Sequence, residues 1–338
     1  MKKNFLLSIG LLLASLAPVS VWAEVAYSVF DNGTLTFYYD NSKSSRTGSV
    51  YDIETEYVGD NNFPAWQTAN ITKVVFDNSF SAYSPTCTSR WFHSCSNITA
   101  FEGTENLNTS NVTSMAGMFY KCSSLTNIDL SHFNTSKVTN MYCIFYECSK
   151  LEKLDLRSFD TKNVTTMVAM FYGCSALKEI NLSSFNTEKV EDMQYMFFKC
   201  SQLTELDISS FHTPNLTNME SMFDSCTSLV TIYAGDGWNT DKIDMITGGM
   251  WVFDNCSKLV GGEGTACATS FITSFLYAKI DSYTDPGYFT YKSSGTDIKN
   301  PTKLNDDNGI IIYSIEGRRQ YSPIKGLNII NGKKYLIK

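Results

Sequence analysis

Seven cysteines recur at an almost fixed interval in this chain, and the recurrence constrains its fold more than any other feature. Cys95, Cys122, Cys148, Cys174, Cys200, Cys226 and Cys256 follow one another at steps of 27, 26, 26, 26, 26 and 30 residues. Three residues before each stands a phenylalanine: Phe92, Phe119, Phe145, Phe171, Phe197, Phe223 and Phe253. Three residues after each comes Ile98, Leu125, Leu151, Leu177, Leu203, Leu229 or Leu259. Agreement at three columns over seven units identifies a repeat protein, which must be recognised before any local motif is interpreted. A single unit of this size cannot bury its own apolar face, whereas stacked copies can.

The unit runs V-T-x-M-x-x-M-F-x-x-C-x-x-L-x-x-L-D-L-S-x-F-N-T, and two periodicities meet in it. Val164, Met167, Phe171 and Cys174 are spaced as one face of a helix. Thr139, Thr165 and Thr217 sit where an N-cap is wanted, and Thr217 with Glu220 fits a capping box. After the cysteine, Leu177-x-x-Ile180-x-Leu182 changes to alternation, the pattern of a short strand. The expected architecture is therefore an α/β leucine-rich-repeat solenoid, with one short helix plus one strand per 26-residue unit and a parallel strand ladder.

The ends depart from the unit. Residues 24–70 alternate apolar and polar side chains around an Asn32-Gly33 hairpin signal, which predicts a β-rich N-terminal cap. The array with its C-terminal cap is expected over 71–290, starting with a strand at Ile71-x-x-Val74-x-Phe76. A polar, turn-rich linker follows at 291–308, and a short β tail at 309–338 with turns at Glu316-Gly317 and Asn331-Gly332.

Residues 1–23 have the form of a secretory signal: Lys2 and Lys3, an apolar run from Phe5 to Ala17, and Val21-Trp22-Ala23 for cleavage near Ala23. Pro18 stops the run short of the roughly 20 apolar residues of a transmembrane helix. The expected localisation is secreted or cell surface. Loss of the two leader lysines takes the net charge from -7 to -9. A body this acidic argues against nucleic acid as a partner, since phosphate binding needs a basic face.

The chemistry-bearing residues are mostly absorbed by the repeat. Equivalent side chains in a stack point the same way, whereas a disulfide needs converging Cβ vectors. The seven periodic cysteines are therefore read as a column of reduced, packed thiols. Cys87, Cys143 and Cys267 lie off that column, and a bridge among them stays open. Metal binding has little support, with no C-x-x-C and only His93, His132 and His212. The methionine columns (Met115, Met141, Met167, Met193, Met219) read as core. Ser175-x-x-Lys178 matches a serine–lysine spacing only because it spans the C-x-x-L region. No H-E-x-x-H, G-x-S-x-G or phosphate loop occurs, so no enzyme activity and no cofactor are expected. Asn134, Asn163 and Asn215 recur in N-x-S/T form as turn residues.

The best candidate site on this reading is the exposed face of the strands. Asp129, Asp155, Asn181 and Asp207 occupy one outward position in successive units, suited to a repeated hydrogen-bonding role or to a cation held by oxygen ligands. Two residues earlier the face varies through Asn127, Lys153, Glu179 and Glu205. Arg157 replaces the serine of Ser131, Ser183 and Ser209, and Lys178 adds a further charge. Variation over a fixed scaffold is what a recognition surface shows, and also what an unconstrained surface shows.

The repeats, VTSMAGMFYKCSSLTNIDLSHFNTSKV and its copies, resemble the BspA-like leucine-rich repeats of bacterial surface proteins, over roughly Ile71 to Leu259. The flanking VFDNGTLTFYYDN and LVGGEGTA resemble segments of Bacteroidetes members, and GLNIINGKKYLIK resembles part of a type IX secretion sorting region. The resemblance implies a secreted or surface protein of host-associated bacteria that adheres to an extracellular protein or glycan. It carries over no catalytic residue. The alternative is a structural surface or assembly component without a specific ligand.

Overall fold

The computed structural model describes residues 23–54, 62–244, 247–268 and 274–292 of the 338-residue chain, together with the backbone of four strands beyond them. The expected leader, up to residue 22, and the linker from residue 293 lie outside the described residues.

The N-terminal part is a sheet built on a hairpin. Strand β1 (Val25–Asp31) pairs antiparallel with β2 (Thr34–Asp40). Between them Asn32 and Gly33 take φ of 45° and 82°, the left-handed pair that a tight hairpin turn requires. β3 (Ser49–Asp52) flanks β1, while β4 (Lys73–Phe76) and β5 (Ala100–Glu102) continue from β2 in parallel. The order is β3-β1-β2-β4-β5, so one sheet joins the hairpin to the first repeat strand. Its core centres on buried Phe37, whose ring stacks on Trp91 at 5.3 Å and meets Trp66 edge-on at 5.4 Å.

From Phe92 onward the repeat columns become physical columns. The phenylalanine rings stack with centroids 5.4 Å apart for Phe119–Phe145, 5.9 Å for Phe145–Phe171, 5.4 Å for Phe171–Phe197 and 5.9 Å for Phe197–Phe223. That spacing overturns the expected helix. An α-helix with its side chains is about 10 Å across, so helices of successive units cannot sit one above another at the separation of these rings. Among the described residues there is no α-helix.

A chain of fused turns takes the place of the helix. In the unit containing Cys174, the N–H groups of Met170, Tyr172 and Cys174 donate three residues back, to the carbonyls of Met167, Ala169 and Phe171. The N–H groups between them point the other way: Met167, Ala169, Phe171 and Gly173 donate to Asp192, Gln194, Met196 and Phe198 of the next unit. The backbone reverses its twist twice per unit to do this. Ala169 and Gly173 have φ of 53° and 68°, and the same two positions are left-handed at Cys143 and Glu147, Tyr195 and Lys199, and Ser221 and Ser225. Such turns bring Met167, Met170, Phe171 and Cys174 to one side, all fully buried. The three-four-three spacing is thus shared by a helix and by this turn chain.

The expected caps are likewise corrected. Thr139 and Thr165 cap no helix; their hydroxyls and N–H groups both donate to the carbonyl of the equivalent threonine one unit back, Thr113 and Thr139. Thr217 does the same to Glu191, and the Glu220 N–H donates to the Asn218 side chain, so no capping box forms. The threonine of F-N-T forms a second, buried column. The Thr161 hydroxyl accepts from the N–H of Asn186 and donates to its carbonyl, both at 2.8 Å. The Thr135 and Thr213 hydroxyls are likewise bonded twice, and those of Thr109 and Thr187 once each, so every one of these buried groups has a partner.

On the opposite side the strands are short. β6 (Lys153–Asp155) pairs in parallel with β7 (Glu179–Asn181). β8 (Glu205–Ile208), β9 (Thr231–Ala234) and β10 (Phe289–Tyr291) form a second parallel group. The single ladder expected from the sequence is not formed, for these groups are separate sheets and residues 127–129 make no strand. Unit-to-unit pairing is more continuous on the turn side, where parallel bridges run from Cys87 through Ser114, Asn140, Thr166 and Asp192 to Asn218.

The cysteine column lies inside, and all ten cysteines are free, including Cys87, Cys143 and Cys267. The thiol of Cys174 donates to the Phe145 carbonyl one unit back at 3.2 Å, and Cys148 and Cys200 repeat the contact on Phe119 and Phe171 at 3.1 and 3.2 Å. A cysteine therefore fills the position as an apolar side chain and supplies one weak donor. Burial pushes the Cys174 thiol up to about 12, which keeps it protonated. Beyond the linker, β11 (Ile312–Ser314), β12 (Arg319–Gln320), β13 (Gly326–Ile330) and β14 (Lys333–Ile337) form an antiparallel sheet in the order β12-β11-β13-β14.

Candidate functional site

The residues expected to form a strand-face site do lie on one side, and most of the charged ones are ion-paired, with one another or with neighbouring side chains. Lys153 pairs with Glu179 at 2.7 Å and Lys178 with Glu152 at 3.2 Å, each between adjacent units. Arg157 folds back on Asp155 at 2.6 Å, and Asp207 takes Lys292 at the same distance. Asn127 and Glu205 are exposed. Exposed pairs of this kind contribute at most about 1 kcal/mol each.

The outward Asp/Asn row has a local role. Asp129, Asp155, Asn181 and Asp207 each accept the N–H two residues on, from Ser131, Arg157, Ser183 and Ser209, at 2.9 to 3.1 Å. These are Asx turns that end the strand side of each unit. The hydrogen bonds run along the chain, within each unit. For Asp129 the donated N–H and the Ser131 hydroxyl hold the carboxyl below its usual range. Among the described residues no group of three or more His, Cys, Asp or Glu side chains is placed to hold a metal. Asp129, Ser131, Asp155 and Arg157 line a depression of about 320 Å³.

A larger feature lies on the turn side, where the sequence reading placed none. A groove of about 730 Å³ runs along the stack from Tyr142 to Trp251 and Asp254. Its floor is the first left-handed column, in which Cys143, Ala169 and Ser221 are small and buried while Tyr195 stands up between them. One wall is the residue after each core phenylalanine. There Tyr146 stacks on Tyr172 at 4.3 Å and Tyr172 on Phe198 at 4.7 Å, after which the column changes to Asp224 and Asp254. Tyr195 meets Tyr172 and Phe198 edge-on, at 6.2 and 5.7 Å. Tyr142 and Trp251 are 50% and 42% exposed, so rings stand open at both ends.

The polar groups of the groove are held in place. Glu220 of the neighbouring unit accepts from Gln194 Nε2 at 2.8 Å and from the Tyr195 hydroxyl at 3.1 Å, which fixes both side chains. Asp224 accepts from the Ser225 hydroxyl and from Asn255, and its burial raises its pKa above the usual carboxylate value. Among the described residues no Lys, Arg or His is part of the lining, and the Lys199 ammonium stands 5.1 Å from the centre of the Phe198 wall ring. The floor backbone is fully engaged, for Cys143, Ala169, Tyr195 and Ser221 each donate their N–H to the next unit. The signal for this site was present in the sequence as an aromatic column, Tyr120, Tyr146, Tyr172 and Phe198, beside the core phenylalanines.

Comparison with known proteins addresses the repeat itself. The family described as "Mycoplasma protein of unknown function, DUF285" matches residues 86–181 and 153–259, which together span more than half of the 338 residues. The chain belongs to that family. The BspA-like resemblance of the motif agrees with this membership at the level of the repeat. Among solved structures, a leucine-rich repeat protein from Bacteroides ovatus is similar at 16% identity over 70% of this chain and 69% of that one, with a TM-score of 0.31. A search of curated proteins finds no match. Among the described residues no helix is long and apolar enough to cross a membrane.

Proposed function

We propose that this chain is an exported, non-catalytic binding protein whose stacked units form a leucine-rich-repeat solenoid, and that it holds extracellular material in the turn-side groove. The observation that carries this reading is the groove itself, where Tyr142, Tyr195 and Trp251 present rings on a floor made rigid by unit-to-unit hydrogen bonds. Open aromatic side chains fixed on a rigid scaffold are typical anchors of binding surfaces, since they lose little conformational freedom on contact. Export rests on the leader motif, and attachment to the cell surface on the tail motif and on the family resemblance. A purely structural role in a surface assembly is the competing reading.

The test is retention of biofilm or host-surface extract on the immobilised mature chain. Retention of unmodified material, lost when Tyr142, Tyr195 and Trp251 are replaced by alanine together, is the expected result. Equal retention by that variant contradicts the groove assignment, and release of shortened material contradicts the non-catalytic reading.

A further inference from the structure

We infer that the turn-side groove takes a neutral glycan chain, lying along the stack with its sugar rings against Tyr142, Tyr195 and Trp251. The inference rests on the reading of the groove as the binding surface and names the chemistry of its occupant. Three observations carry it.

The first is what the groove offers. Its charged lining residues are Asp224 and Asp254, with the Gln194 amide also in the lining; one cation, Lys199, stands 5.1 Å from the Phe198 ring and offsets part of the negative charge at Asp224. Such a lining repels phosphate, sulfate and carboxylate ligands and suits a donor-rich neutral one. Sugar hydroxyls donate to carboxylates while the C–H faces of the rings pack on aromatic side chains, so one ligand satisfies both halves of the lining.

The second is what the groove withholds. An extended peptide binds a repeat or sheet surface chiefly by pairing its backbone with free N–H and C=O groups. Here the floor N–H groups of Cys143, Ala169, Tyr195 and Ser221 donate to the carbonyls of Val168, Gln194, Glu220 and Met250. Those on the wall at Tyr146, Tyr172, Phe198 and Asp224 close the turns within their own units. Recognition must therefore run through side chains, which favours a ligand without a backbone to pair.

The third is shape. The groove crosses four unit steps between Tyr142 and Trp251, and at a strand spacing of about 4.8 Å this is about 20 Å, room for roughly four sugar rings in line. Its aromatic elements recur along the stack, as a ligand with a repeating unit requires.

The experiment is titration of the purified mature chain with neutral linear oligosaccharides of the cello, xylo, manno and malto series, matched oligogalacturonides, and a neutral extended peptide. Calorimetry gives the affinity and the fluorescence of exposed Trp251 reports on the groove. Saturable binding of at least one neutral series is expected, strengthening with chain length until the groove is filled. Separate Tyr195→Ala and Trp251→Ala variants with parental melting temperatures should each lose about tenfold or more in affinity. A Lys153→Ala/Arg157→Ala/Glu179→Ala variant should bind like the parent.

Preference for the acidic oligosaccharides or for the peptide overturns the inference, as does neutral binding that the groove variants leave intact. If no neutral series binds while the groove variants still abolish capture of surface extract, the glycan assignment falls and the groove reading stands. If capture survives those variants as well, both fall.

Discussion

Replacing Phe171 by alanine should show how the stack is held together. Its ring is fully buried between Phe145 and Phe197, with centroids at 5.9 and 5.4 Å. Truncation removes both ring contacts and leaves a void bounded by neighbouring units that the hydrogen-bonded turns hold at fixed spacing. Little collapse can follow, which places the loss at the upper end for large-to-small changes, about 3–5 kcal/mol. Of this, each aromatic pair contributes roughly 0.5–1.5 kcal/mol beyond simple burial. Because each unit contacts only its neighbours, a defect in mid-stack also weakens coupling between the two halves. Urea unfolding followed by circular dichroism and tryptophan fluorescence measures both effects. The midpoint should fall, and the slope should decrease as the halves begin to unfold separately. Lys178→Ala, an exposed change, should stay within about 0.5 kcal/mol of the parent. A Phe171→Ala variant as stable as Lys178→Ala would refute the stacked-core reasoning.

Two further outcomes test the turn geometry and the thiol column. Glu147 has φ 51°, a left-handed conformation that costs a non-glycine residue about 1–2 kcal/mol, so Glu147→Gly should stabilise the protein by about 1 kcal/mol in thermal or chemical unfolding; a helix at this position would be destabilised by the same change. The folded Cys174 thiol is raised to about 12 from 9.0 by burial, so between those values the unfolded chain loses a proton that the folded chain keeps. Stability present below pH 9 should therefore decline as pH rises toward 12, and iodoacetamide should label the column cysteines only on unfolding; rapid labelling of the native protein at pH 8 would contradict the buried-thiol column.

The core was legible in the sequence because burial repeats with the unit. Every phenylalanine, cysteine and leucine of the three columns is buried as the spacing required. The helix was not correctly legible, because Met167, Met170, Phe171 and Cys174 share a face in a helix and in a chain of turns alike. The distinction depends on the distance between units, which no single unit encodes. The left-handed positions are equally hidden, since only Gly117 and Gly173 mark columns otherwise occupied by residues such as Tyr195, Lys199 and Trp251.

The site was half legible. The outward Asp/Asn row is where the alternation placed it, but its carboxylates close Asx turns, and the charges around it pair across units. The groove was not legible because its residues come from three columns that a helical reading sets on an outer, solvent-facing surface. Only the turn geometry joins Tyr142, Tyr195 and Trp251 across four unit steps.

The most direct measurement is hydroxyl-radical footprinting of the mature chain, free and bound to captured surface material, read residue by residue by mass spectrometry. Protection at Tyr142, Tyr195 and Trp251, with unchanged reactivity at the half-buried Ile128 and Ile180 on the strand side, is the expected result. Protection confined to the strand side, with the three groove rings as reactive as in the free protein, would contradict it.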